Sequence, residues 1–231
     1  MLSLIDRGAD IHYRDSYGRI PLHCACHTGH TDIALLLLDR EVDIHCTDSD
    51  GLTPLHRACH RDHTDIALFL INRGADINCR DSDGLTPLLW ACQYGHTDIA
   101  LLLLDRGADI NSRDSDGLTP LHWACHRGRI DIALALIRAG ANALAEDDDN
   151  FTPLDYTKSE EIKAALIRER EKYLVWTRRK AFMMFLVGYR YIAMRHHQPQ
   201  AAAAADHGEE EPLVDRVMRM RDLNMTIASF L

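Results

Sequence analysis

No apolar run in this chain approaches the roughly 20 residues that a membrane-spanning helix requires. Even a prominent one, Ala181 to Gly188, stops far short. Cysteine occurs seven times, an odd number, and never as Cys-x-x-Cys. That usage argues against a disulfide framework and for reduced thiols in a cytoplasmic or nuclear setting. No signal peptide is visible at the N-terminus, which points to the same compartments. Basic residues are in the minority, 26 Lys and Arg against 35 Asp and Glu. A duplex nucleic acid would meet repulsion, because phosphate affinity rests on Lys and Arg. No glycine-rich phosphate loop, nucleophile–base pair or carboxylate dyad stands out. The expectation is a protein that is not an enzyme and carries no cofactor.

What the chain does have is repetition. Gly18, Gly51, Gly84 and Gly117 are spaced by 33 residues, with Asn150 at the next step. Pro21, Pro54, Pro87, Pro120 and Pro153 keep the same interval. Three copies open with identical text, Asp-Ser-Asp-Gly-Leu-Thr-Pro-Leu, at Asp48, Asp81 and Asp114. A fixed period of this length marks a solenoid, in which each unit packs only on its neighbours.

Within a unit, Thr53 reads as a helix N-cap with Pro54 at the first helical position. A short inner helix follows, buried through Leu55, Ala58 and Cys59. Its partner is expected to start at Thr64, read as a second cap. It runs apolar through Ile66, Ala67, Leu68, Leu70 and Ile71, and Gly74 ends it in a left-handed turn. The Asp-Ser-Asp-Gly stretch then turns the chain back in a hairpin-like loop. Cys26, Cys59, Cys92 and Cys125 recur at one small position and read as core filler.

Thr53-Pro54-Leu55-His56-Arg57-Ala58 and Thr119-Pro120-Leu121-His122-Trp123-Ala124 resemble the signature of the ankyrin repeat, whose period is also 33. Gly29-His30-Thr31-Asp32-Ile33, Gly95-His96-Thr97-Asp98-Ile99 and the Asp105 to Asn111 ending extend the resemblance over residues 1–170. It implies an all-α solenoid of stacked helix pairs with hairpin loops. Full repeats fall at 18–50, 51–83, 84–116 and 117–149, with partial units at 1–17 and 150–170. It also implies a monomeric scaffold that binds another protein in a concave groove lined by the inner helices. In some relatives the asparagine that ends the hairpin is hydroxylated, a context matched by Asn78 and Asn111.

The copies are unequal. Ile20 replaces the capping threonine, Glu41-Val42 replaces Gly-Ala, and Asp62 stands where Gly29 and Gly95 stand. Arg129-Ile130 replaces His-Thr, which should remove a second-helix cap. A lost Thr cap costs about 1 kcal/mol and a non-glycine left-handed residue about as much, so the second and third repeats should be firmest. Asp6-Arg7-Gly8 aligns with Asp105-Arg106-Gly107, so the chain opens inside a second helix, as an N-terminally truncated sequence would.

His56, Cys59, His60 and His63, and likewise His23, Cys26, His27 and His30, have a spacing that could face a zinc ion. The resemblance gives His56 and His63 structural hydrogen bonds instead, and no metal is expected. The loops carry an acidic excess at Asp48, Asp50, Asp81, Asp83, Asp114, Asp116 and Asp147 to Asp149. Inside the constant frame, the inner helices vary. Cys24 becomes Arg57, Trp90 and Trp123, and His27-Thr28 becomes His60-Arg61, Gln93-Tyr94 and His126-Arg127. Arg57, His60, Arg61, Trp90, Gln93, Tyr94, Trp123, His126 and Arg127 are therefore the candidate partner-binding residues, rich in the Trp, Tyr and Arg of interface hot spots.

After Arg170 the period ends. Residues 1–170 hold 17 Lys and Arg against 28 Asp and Glu, and residues 171–231 hold 9 against 7. Residues 171–196 read as a basic amphipathic capping helix, 197–212 as a flexible linker, and 213–231 as an amphipathic helix. The last of these faintly resembles one helix of an F-box. That gives the alternative reading, a substrate-recognition adaptor whose tail recruits ubiquitin-ligase components.

Overall fold

The computed structural model describes residues 8–172, 174–176, 179 and 180. The linker of 197–212, the helix of 213–231 and most of the helix of 171–196 lie outside the described residues. The described part is helical, with no strand among the described residues.

Four helix pairs follow the four repeats: α1 (Pro21–Thr28) with α2 (Thr31–Asp39), α3 (Pro54–His60) with α4 (Thr64–Asn72), α5 (Pro87–Tyr94) with α6 (Thr97–Asp105), and α7 (Pro120–His126) with α8 (Ile130–Arg138). A short α9 (Pro153–Tyr156) opens the fifth unit, and α10 runs over 160–172. The inner helices α1, α3, α5, α7 and α9 stack in chain order, and the outer helices α2, α4, α6 and α8 do the same beside them. This is the all-α solenoid of an ankyrin-type repeat.

Neither helix of a pair is long enough to bury its apolar side alone, so stacking builds one continuous core. Leu22, Leu55, Leu88 and Leu121 fill it from the inner helices, and Leu37, Leu70, Leu103 and Leu136 from the outer ones, all essentially inaccessible to water. Cys26, Cys59, Cys92 and Cys125 lie in the same layer. Burial pushes the Cys125 thiol up to about 12 and the others higher, so these four sulfurs are protonated packing groups. Ile162 and Leu166 of α10 join the core at the far end.

Thr53, Thr86 and Thr119 cap the inner helices as expected, accepting from the amides of His56, Leu89 and His122. Ile20 provides no such bond. The outer helices depart from expectation. The residue before α4 is His63, with no side-chain cap bond, and Thr64 is the first helical residue rather than the cap. The histidine ring reaches backward instead: His63 Nε2 lies 3.3 Å from the His27 carbonyl, and His96 Nε2 3.1 Å from that of His60. What Arg129-Ile130 removes from the fourth repeat is therefore this tie between repeats, not a threonine cap. Of the apolar run of α4, Leu68 is only half buried and stands outside the core.

Among the described residues, three that are not glycine have positive φ: Glu41 at 58°, Asp62 at 63° and Asn150 at 63°. Each stands where the neighbouring repeats use glycine. Gly51 shows why glycine is preferred in the hairpin loop, because a Cβ there would lie 2.8 Å from the Ser82 amide nitrogen of the next loop. Those loops are stitched edge to edge. Ser49, Ser82 and Ser115 donate their amides to the carbonyls of Tyr17, Asp50 and Asp83 at 2.9 to 3.0 Å. Asn78 and Asn111 add to the stitching, accepting from the amides of Asp109 and Asn142 at 2.8 and 2.9 Å.

Candidate partner-binding surface

The variable inner-helix position is built on a constant one nine residues earlier. Asp48 uses one carboxylate oxygen to accept the amides of Asp50 and Leu52, both at 3.0 Å, which closes the hairpin turn. Its other oxygen accepts from Arg57 Nε and Nη2 at 3.1 and 2.5 Å. In the next repeats Asp81 Oδ2 accepts from Trp90 Nε1 at 2.8 Å, and Asp114 Oδ2 from Trp123 Nε1 at 2.7 Å. One repeat further on, the Tyr156 hydroxyl donates to Asp147 at 2.5 Å, which pushes that phenol up to about 12. Only the first unit lacks the clasp. There the position is Cys24, and Asp15 is taken by Arg19 at 2.7 Å.

From the second unit on, the variable side chain is thus held by its polar end at the hairpin and left partly exposed along its length. Over these anchors run the rings of the next turn. His60 packs edge-on against Trp90 and Tyr94, with centroids 4.9 and 4.6 Å away, and Trp90 and Tyr94 stack 5.5 Å apart at 5°. A second cluster joins Trp123 to His126 at 6.0 Å and His126 to Tyr156 at 5.6 Å. Between the clusters, Gln93 holds the corresponding position, half buried.

The charges are placed unevenly. Arg57 is neutralised by Asp48, whereas Arg61 rests its guanidinium on His27 Nε2 at 2.9 Å and Arg127 lies over the Trp123 ring at 5.6 Å. Arg61, Tyr94, His126 and Arg127 are exposed. Burial and then the nearby Arg61 push His60 down to about 4, and the same two causes lower His27. His60 and His27 are therefore held neutral at physiological pH, and Arg61 and Arg127 carry positive charge on this surface outside any ion pair among the described residues.

All nine candidate residues therefore lie on one inner-helix face, eight of them in polar or ring contacts and Gln93 between the clusters. Sequence reasoning missed Tyr156, which continues the 33-residue step from Trp123, and it missed the aspartates as anchors. The constant nine-residue spacing from Asp to the variable position was the available signal.

The histidine–cysteine constellation has a different use. His56 Nδ1 accepts the Thr53 amide at 3.1 Å, so Nε2 carries the proton that it donates to the Leu85 carbonyl at 3.0 Å. His23 and His122 repeat the bridge to the carbonyls of Leu52 and Phe151 at 3.0 and 3.1 Å. With both ring nitrogens engaged, these histidines are ties between repeats. Among the described residues no group of three His, Cys, Asp or Glu is arranged to hold a metal ion, and no helix is long and apolar enough to cross a membrane.

Stacked helix pairs, stitched hairpins and a surface made of variable residues in a constant frame define a repeat protein of the recognition type. A model of three consecutive ankyrin repeats matches residues 1–81, 35–114 and 72–147. The chain belongs to the ankyrin repeat family. No curated protein matches it.

Proposed function

We infer that this chain, like ankyrin repeats in general, is a module of protein–protein interaction. We propose that the partner is a protein seated on the inner-helix face, against His60, Trp90 and Tyr94 on one side and Trp123, His126 and Tyr156 on the other. The supporting observation is that Trp90, Trp123 and Tyr156 are partly exposed here while being fixed from below by Asp81, Asp114 and Asp147, with the exposed Arg61, Tyr94 and Arg127 beside them. Ordering loose side chains at an interface costs about 0.5 to 1.5 kcal/mol each. Rings already clasped and stacked have met that cost before the partner arrives. Trp, Tyr and Arg also dominate interface hot spots.

Arg61 and Arg127 favour a partner segment that presents carboxylates or carbonyls between its apolar contacts. The exposed Asp50, Asp83 and Asp116 of the hairpin tips favour basic residues along the rim. The test is quantitative affinity purification with the full chain against a Tyr94→Ala/Arg127→Ala variant, whose exposed side chains contribute little to the fold. Loss of bound protein in the variant supports the reading, and undiminished recovery refutes it. The ubiquitin-ligase adaptor reading rests on residues 213–231, outside the described residues, and no observation on the repeats favours it.

A further inference from the structure

The outer helices carry a second regularity, unconnected with the inner-helix face. In α2 the buried residues are Ile33, Ala34, Leu37 and Leu38, which fixes the opposite side of the helix as Asp32, Leu35, Leu36 and Asp39. The same positions recur as Asp65-Leu68-Phe69-Asn72, Asp98-Leu101-Leu102-Asp105 and Asp131-Leu134-Ala135-Arg138. Leu36 and Leu102 lean back onto the core, but Leu35, Leu68, Leu101 and Leu134 belong to none of it. Leu101 is 42% exposed, Leu35, Leu68 and Leu134 are half-buried, and Phe69 at the neighbouring position is 37% exposed. A single exposed leucine needs no explanation. Leucine at one outward position in four consecutive repeats does, because stacking sets these side chains in a continuous row.

An acidic row runs beside it. Asp32, Asp65, Asp98 and Asp131 are exposed on the first turns, and none of them enters an ion pair among the described residues. The opposite ends of the helices are knitted together: Arg73 pairs with Asp39 and Arg106 donates to Asn72, both at 2.7 Å. The helix dipole accounts for an acid in a first turn, but not for the leucines next to it.

We propose that this outer face binds a basic amphipathic helix of a partner protein, with apolar residues at every seventh position and Lys or Arg beside them. The pitch supports a helix as occupant. Packed neighbouring helices lie about 8–10 Å apart, and seven residues of α-helix advance roughly 10.5 Å. One heptad of the partner therefore spans one repeat, placing an apolar residue between successive leucines and a cation near each aspartate. The unpaired carboxylates select positive charge and reject an anionic membrane surface.

The test is fluorescence anisotropy of a labelled synthetic helix of about four heptads, with leucine at every seventh position flanked by lysines, titrated into the full chain. Saturable binding is expected. It should weaken about tenfold or more in Leu68→Gln/Leu101→Gln and in Asp65→Asn/Asp98→Asn, weaken with added salt, and persist in Tyr94→Ala/Arg127→Ala. These are surface changes, and circular dichroism verifies that the variants fold. The proposal is overturned if the peptide does not bind, or if binding is indifferent to the leucine and aspartate substitutions. It is equally overturned if sedimentation shows a dimer of the full chain that Leu68→Gln/Leu101→Gln dissolves, which would make the occupant a second copy. Vesicles containing phosphatidylserine that bind the intact chain but not the leucine variant would assign the row to a membrane and overturn it as well.

Discussion

The indole N–H of Trp90 donates to Asp81 Oδ2 at 2.8 Å, while Asp81 Oδ1 accepts the amides of Asp83 and Leu85 at 3.0 and 2.8 Å. One buried carboxylate thus closes a hairpin turn and fixes a ring of the proposed binding face. Removing it by Asp81→Ala leaves three donors without an acceptor, and should cost about 2–3 kcal/mol. Trp90→Phe keeps the ring but loses the N–H, at about 1–2 kcal/mol. Urea unfolding of both single variants and the double variant should give a coupling well above 0.5 kcal/mol. Additive costs would mean that the clasp is not a working hydrogen bond.

Glu41 holds a left-handed backbone, φ 58°, at a position that is glycine in the repeats on either side. Glu41→Gly should stabilise the chain by about 1 kcal/mol, since the Cβ strain is relieved. Gly95→Ala should do the reverse by a similar amount, because the strain lies in the backbone and the exposed Arg129 side chain that a Cβ would meet can swing aside. The φ of Gly95 is 87° and a Cβ there would lie 2.5 Å from Arg129 Nε. Both are read from the shift of the urea midpoint, and a destabilising Glu41→Gly would contradict this account of the first repeat.

Mild acid should loosen the stack through its buried histidines. His23, His56 and His122 are lowered from the ordinary imidazole value of 6.5, first by burial, although their carbonyl partners oppose the shift. With folded values below 6.5, the unfolded chain binds the extra protons, so stability falls as pH drops through about 6.5 toward the folded values. Each such histidine contributes at most about 1.4 kcal/mol per pH unit. Unfolding midpoints at pH 7.5 and 5.5 should therefore differ clearly, and His56→Leu, which copies Leu89 of the third repeat, should flatten the slope. A slope unchanged in that variant would remove His56 from the explanation.

The architecture was legible because a solenoid writes its contacts as a period. Thr53, Pro54, Leu55 and Gly74 each perform in the fold the task their local chemistry announces. Thr64 did not, since a threonine at the start of an apolar run looks the same whether it precedes the helix or opens it. The choice was made by His63, whose ring bonds to a repeat 36 residues back. Tertiary contact also hid the clasps. Arg57, Trp90, Trp123 and Tyr156 share no chemistry except a donor at the end of a long side chain, and only the folded hairpin brings Asp48, Asp81, Asp114 and Asp147 to meet it. Nor could the outward face of the outer helices be read, because an unbroken apolar run such as Leu101 to Leu104 conceals which residue faces water.

The most direct measurement of the central claim is quantitative affinity purification from the source cells. It compares the intact chain with Arg61→Ala/Tyr94→Ala/Arg127→Ala after both are shown to unfold at the same urea concentration. Binding through the inner-helix face predicts that the recovered partner is lost from the triple variant. Full recovery by a variant of unchanged stability would contradict it and move the binding site elsewhere on the chain.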